Sequence, residues 1–182
     1  WDQIGDIRRN YKVEIEANMF RFVFPEHPLN MVSRWSVGSD KDSIIKRAAF
    51  NGMGLVIWQD VFGAWLPFSN KQKQQIKKLK NVFNKYHNII FGSNSVPLIE
   101  TLSNGLICNQ FCNDNNQKIF AIYNFTNKNI KGPLVALEPI AKTKFQQIFG
   151  IKTNLQIKKI KKINTIFGTI PGNEVILIYV KY

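Results

Sequence analysis

The stretch that decides the fold is Arg47-Ala48-Ala49-Phe50-Asn51-Gly52-Met53-Gly54-Leu55-Val56-Ile57-Trp58-Gln59-Asp60-Val61-Phe62-Gly63-Ala64-Trp65. It reads as the end of a helix, a tight glycine turn, a buried strand, and then a polar and aromatic loop. The apolar run Leu55-Val56-Ile57 is short and β-rich; Gly52 and Gly54 punctuate its start and Gly63 its exit. An apolar strand entered from a helix predicts a parallel α/β sheet covered on both faces. Ligands of such sheets bind beyond the carboxyl ends of the strands. Here that end carries Trp58, Gln59 and Asp60, with Phe62 and Trp65 beyond. Flat aromatic faces for C–H surfaces, beside an amide and a carboxylate for hydroxyls, are what a sugar site requires.

Working upstream, Ser39-Asp40-Lys41-Asp42 opens the helix, with Ser39 or Asp40 as cap and acids in the first turn. Ile44, Ile45, Ala48 and Ala49 give it one apolar face, and Asn51-Gly52 ends it in left-handed geometry. Leu29 to Gly38 reads as a loop carrying Arg34 and Trp35. Before it, Phe20-Arg21-Phe22-Val23-Phe24 is a strand candidate, closed by Pro25-Glu26-His27-Pro28. That reading sets Glu26 and His27 just past a strand's carboxyl end; the alternative is plain loop surface. Asp2 and Asp6, nearer the start, read as caps or solvent-exposed acids in preference to site groups.

Working downstream, Ser69 caps a second helix running from Asn70 to about Asn88, with Ile76, Leu79, Val82, Phe83 and Tyr86 at helical spacing among lysines. The first 90 or so residues thus spell strand, loop, helix, strand, loop, helix. Two such β/α units close no hydrophobic core alone, so they read as the end of a larger parallel sheet or barrel.

The pattern changes after Phe91-Gly92. Ser93–Asn104, with Pro97, reads as a connector. Short strands follow at Leu106–Phe111, Lys118–Phe125, Leu134–Leu137, Phe145–Phe149, Leu155–Ile163, Thr165–Ile170 and Val175–Tyr182. Asn113-Asp114-Asn115-Asn116 and Pro171-Gly172-Asn173 are turns between them. In the second strand, Phe120, Ile122 and Asn124 face one way and Ala121, Tyr123 and Phe125 the other. Strands at this spacing without helices predict an antiparallel β-sandwich. Ile157-Lys158-Lys159-Ile160-Lys161-Lys162-Ile163 repeats every three residues and fits neither strand nor helix. Asn124-Phe125-Thr126 matches a glycosylation sequon, a motif that arises often by chance.

The totals bound the function. With 182 residues, 45% of them hydrophobic, the chain buries a core and holds one domain or two small ones. No apolar run approaches the roughly 18–20 residues of a membrane span. No signal peptide is visible. The chain starts at Trp1 and reads as the carboxyl-terminal fragment of a longer protein. The net charge of +13 invites a nucleic-acid reading. Its distribution weakens it: all five arginines lie in the first third, and the remaining positive charge is lysine concentrated in Asn70–Lys85 and Lys142–Lys162. A solvated lysine surface is the favoured reading over phosphate binding. Cys108 and Cys112 on one extended strand would have Cα atoms about 13 Å apart, beyond the roughly 7 Å limit of a disulfide; they read as small buried thiols, and the compartment stays open. Two histidines, His27 and His87, make no metal site or triad, and no Walker loop or dinucleotide fingerprint implies a cofactor.

Phe22–Pro28, Arg47–Trp65 and the strands from Leu106, including Phe120-Ala121-Ile122-Tyr123-Asn124, give the chain a layout that resembles the end of many glycoside hydrolases. The alpha-amylase-like and alpha-galactosidase-like groups both close a (β/α) barrel with a small terminal sandwich. The resemblance implies a fold class of α/β followed by all-β: residues 1–92 as the last barrel units and 93–182 as a structural β-sandwich. It implies a carbohydrate substrate and, as partner, the N-terminal part of the same protein, with no nucleic acid and no membrane. The main catalytic acids of those groups lie on middle barrel strands, so the fragment alone is expected to be inactive. Asp60 and Glu26 are the carboxylates that point to the barrel mouth; glycosidase chemistry needs such a pair about 5–5.5 Å apart for retention or about 6.5–9.5 Å for inversion. Trp58, Trp65 and Trp35 would be sugar platforms, with core or loop packing as the other reading of each. Gln59 and Arg34 would bond hydroxyls or a carboxylate, and His27 would join the contacts. The competing classes are a carbohydrate-binding module, disfavoured because all four tryptophans lie in the first 65 residues, and a basic nucleic-acid-binding protein.

Overall fold

The computed structural model describes residues 15–27, 29–33, 41–57, 68–113, 116–138 and 143–182. The organising stretch folds in the order read as far as Ile57, helix, glycine turn and strand, but the strand is not fully buried: Leu55 and Val56 are half-buried. β1 (Asn30–Ser33) and β2 (Gly54–Ile57) pair in parallel, Asn30 opposite Gly54 and Ser33 opposite Ile57, and α2 (Lys41–Asn51) crosses between them. α2 buries Ile44, Ile45, Ala48, Ala49 and Phe50. Its exit needs glycine: Gly52 has φ +62°, and the Met53 N–H closes onto the Ala48 carbonyl at 2.9 Å. Gly54 lets β1 come close, because a Cβ there would overlap the Asn30 side-chain oxygen.

Two expectations upstream are corrected. Phe20–Phe24 is not a strand; α1 (Met19–Val23) is a short helix. Adjacent Arg21 and Phe22 are buried, whereas Met19, Phe20, Val23 and Phe24 are exposed. That grouping in pairs is helical, since a strand would alternate. Tertiary anchoring of Arg21 overrides the β preference of the phenylalanines. The stretch Leu29–Gly38, read as a loop, contains β1, whose four residues hold a single apolar pair between Asn30 and Ser33 and so carry little strand pattern.

α3 (Asn70–Lys85) starts at a full capping box: the Gln72 N–H donates to Ser69 Oγ at 3.2 Å and the Ser69 N–H to Gln72 Oε1 at 2.9 Å. It stops at Tyr86, and α4 (His87–Ile90) is a separate turn. Leu79, Val82 and Tyr86 form its buried stripe.

The back half is antiparallel. β3 (Val96–Ile99), β4 (Leu106–Cys112), β5 (Gln117–Asn124), β7 (Lys144–Phe149) and β10 (Val175–Lys181) make a sheet ordered β3-β4-β5-β10-β7. β6 (Ile130–Ala136), β9 (Ile163–Ile170) and β8 (Gln156–Ile160) make a second sheet in that order. β3 corrects the expected connector; Pro97 and a Leu98 φ of +50° disguise it and suit its place at an edge. The period-three run resolves into β8, a turn and β9, with Ile160 opposite Ile163. Among the described residues no helix follows Asn104.

The two faces of β5 divide the core as its alternation predicts. Phe120 and Ile122 join Ile176, Ile178 and Val180 of β10 and Leu134, Val135 and Ile166 of the second sheet. Ile119, Ala121 and Tyr123 join Phe50, Leu79, Ile90 and other helix residues on the opposite face. The five-stranded sheet therefore lies between the helices and the second sheet. The described residues form mixed helices and sheets and contain no closed barrel.

Candidate functional site

The carboxyl ends of β1 and β2 are fixed by α2. Its C-terminal turn leads directly into Gly54, whose N–H donates to the Leu29 carbonyl at 3.0 Å beside the start of β1. An eleven-residue helix is about 16 Å long, so its first residue, Lys41, lies at the opposite end, where both strands finish. The start of α3 joins it there: Gln72 Nε2 donates to Asp42 Oδ1 at 3.1 Å. Two helix N-termini thus meet beyond the parallel strands, the place where open α/β folds hold ligands.

The group at this junction is Lys41. It is 7% exposed, its ammonium lies 4.6 Å from the centroid of the Phe68 ring, and among the described residues Nζ has no hydrogen-bond partner. Burial pulls its pKa below the usual lysine value. Removing an ammonium from water costs several kcal/mol after relaxation, while a desolvated cation–π contact returns about 2 kcal/mol. Among the described residues, the charge is therefore not fully compensated.

A second buried cation is Arg21. Its Nη2 donates to the Ile90 carbonyl, its guanidinium lies 5.0 Å from the Phe91 ring, and among the described residues Nε and Nη1 have no partners. Burial lowers its pKa. Sequence reasoning missed both cations. The usable signals were a lysine where a helix N-terminus prefers acids and a lone arginine inside an aromatic run.

Of the expected site residues, Trp58, Gln59, Asp60, Trp65 and Arg34 lie outside the described residues, as does Trp35. Glu26 and His27 are described. Their side chains are 62% and 61% exposed, with Nε2 and Oε1 3.6 Å apart. They follow the helical turn of α1 rather than a strand, and the His27 N–H donates to the Phe24 carbonyl at 3.1 Å. The strand-end argument for them falls with the strand. Among the described residues, no hydrogen bond or ion pair joins either to Lys41.

Among the described residues, no group of three His, Cys, Asp or Glu side chains is placed to hold a metal, and no helix is long and apolar enough to cross a membrane. Cys108 and Cys112 form no disulfide and are buried; Cys112 Sγ donates to the Asn94 carbonyl at 2.7 Å, and burial raises the Cys108 thiol well above its ordinary range. The sequon is structural. Asn124 is fully buried; its Nδ2 donates to the Lys128 and Ile170 carbonyls at 2.8 and 2.9 Å, and its Oδ1 accepts from the Thr126 N–H and hydroxyl.

No protein-family model matches this chain, and no curated protein matches it. Solved structures do, glycoside hydrolases among them. A GH27 β-L-arabinopyranosidase from Geobacillus stearothermophilus aligns with TM-score 0.50 and 10% identity over 88% of this chain and 40% of its own. A glycoside hydrolase family 30 subfamily 8 xylanase from Clostridium acetobutylicum gives 0.46 and 10% over 94% and 47%. A trehalose-6-phosphate hydrolase from Bacillus licheniformis gives 0.43 and 19% over 65% and 22%. At 10% identity the likeness to the arabinopyranosidase is one of fold. The chain spans less than half the length of each.

Proposed function

We propose that this chain is the carboxyl-terminal part of a glycoside hydrolase. Residues 1–92 supply the last units of a (β/α) barrel, and residues 93–182 a structural β-sandwich seated on their helices. The observation that carries the reading is the order of layers: a parallel β1-α2-β2 unit followed by α3, with these helices packed on an antiparallel sheet that is backed by a second one. The fold shared with the arabinopyranosidase agrees with it.

In this reading the partner is the N-terminal part of the same polypeptide, the substrate is a carbohydrate, and the main acids come from the upstream strands. Asp60, which follows β2 in the sequence, is the carboxylate this chain offers. Trp58 and Trp65 stack on the sugar, while Gln59 and Arg34 bond its hydroxyls. Aryl glycosides test the proposal. The 182-residue chain alone should give no turnover; joined to its upstream reading frame it should hydrolyse them, and Asp60→Asn should then reduce the rate. Robust turnover by the chain alone, or an upstream frame without paired carboxylates at strand ends, overturns it.

A further inference from the structure

We propose that the N-terminal end of α2 is an anion-binding site whose charge is Lys41, and that its ligand is a sugar bearing a carboxylate or a phosphate. The sugar half of this proposal rests on the glycoside hydrolase reading above; the anion half rests on Lys41 alone.

Three observations act in one direction. First, the ammonium is buried and, among the described residues, has no hydrogen-bond partner, with the Phe68 ring facing it. Second, it stands at the positive end of a helix dipole, which repels a cation and attracts an anion. Third, a second helix N-terminus converges on the same place. The carboxylate beside it, Asp42, already accepts from Gln72 on that second helix. Backbone N–H groups at helix starts form anion cradles; the start of α2 carries an ammonium with no ion pair among the described residues, while the start of α3, capped by Ser69 and Gln72, adds its dipole. A lysine is unfavourable at this point for the folded chain alone. It becomes favourable once an anion is added, because the ligand neutralises Nζ and meets both dipoles with the right sign. The position is also beyond the carboxyl ends of β1 and β2, on the ligand side of an α/β unit. A neutral sugar would leave the charge as it is.

The test is a titration of the 182-residue chain with galacturonate, galactose 6-phosphate and galactose. It is followed calorimetrically and by the Lys41 side-chain resonance, identified through its loss in Lys41→Met. One or both anionic sugars should move that resonance saturably, and galactose should not. Which of the two does so tells carboxylate from phosphate. Lys41→Met should weaken anion binding at least about tenfold, and Lys41→Arg should retain most of it. Should Lys41→Met lose its cooperative melting transition, Lys41→Gln takes its place. Acetate or inorganic phosphate binding as tightly as the sugars would keep the anion site and defeat the sugar reading. Equal binding of galactose, unchanged anion binding in the Lys41 variants, or no response to any anion overturns the site, whatever the fate of the glycosidase proposal.

Discussion

The buried Asn109 amide of β4 donates to the Phe50 carbonyl at the end of α2 over 3.0 Å, although 59 residues separate the two in the chain. The same side chain accepts from the Leu98 N–H of β3 at 3.1 Å. One amide therefore joins a helix, an edge strand and its neighbour. Asn109→Leu leaves a carbonyl and an N–H without partners in a dry place. It should cost about 1–3 kcal/mol, seen as a lower urea midpoint at unchanged slope.

The apolar cluster under α2 and α3 draws Phe111, Ile119, Ala121, Tyr123, Ile148, Phe149, Val175 and Leu177 from beyond residue 92. Lys46 of α2 adds an ion pair to Glu174 at 2.8 Å and a bond to the Asn173 carbonyl. A chain cut after residue 92 loses one wall of that core. It should show no cooperative thermal transition and poor amide dispersion. A cooperative melt of residues 1–92 would contradict a shared core.

Gly52 is the hinge between the deciding helix and strand. An added Cβ would lie 2.9 Å from Ile90 Cγ2 and 3.1 Å from the Phe111 ring, at a φ of +62°. Gly52→Ala should destabilise by at least about 2 kcal/mol, combining left-handed strain with overpacking. Chemical denaturation measures it.

Periodicity made most of the architecture legible. α2, the Ser69 cap, β2 and most strands from Leu106 onward follow from apolar spacing and turn chemistry; the hairpin turn at Lys161-Lys162 does not, because lysines carry no turn signal. What failed was decided by distant partners. The run Phe20–Phe24 looks like a strand until Arg21 finds the Ile90 carbonyl and the Phe91 ring. β3 hides behind Pro97 because an edge strand needs few N–H donors. The sequon is a local match whose asparagine is occupied by Lys128 and Ile170. At the candidate site, aromatic and acidic residues stand out in sequence, whereas Lys41 does not, because its burial is a property of packing between two helices.

Stability should fall at alkaline pH. Burial pushes the Tyr182 phenol up to about 12 from an ordinary 10.0, against a smaller lowering by a backbone hydrogen bond at Glu138, and burial raises Cys108 from an ordinary 9.0. Below the ordinary values both groups are protonated in the folded and unfolded chains, so their contribution is complete. Above them the unfolded chain ionises first, and stability is lost as pH rises from 9.0 for the thiol, and from 10.0 through about 12 for the phenol. Urea midpoints should decline over that window, and Tyr182→Phe should flatten the upper part of the decline. Until the chain unfolds, Cys108 should also resist a thiol reagent.

The turn between β8 and β9 offers room for improvement. Ile160 pairs with Ile163, so Lys161 and Lys162 alone make the reversal, with φ +47° and +71°. A two-residue hairpin turn with both φ values positive is the type that asparagine and glycine fit best. Lysine in that region costs roughly 1–2 kcal/mol per residue relative to a residue without the steric conflict, and the two ammonium groups add mutual repulsion. Replacing the pair, Lys161→Asn with Lys162→Gly, keeps the register and removes both penalties. The double variant should gain about 1–2 kcal/mol and melt higher. A loss of stability would mean that these lysines make contacts that outweigh their strained backbone.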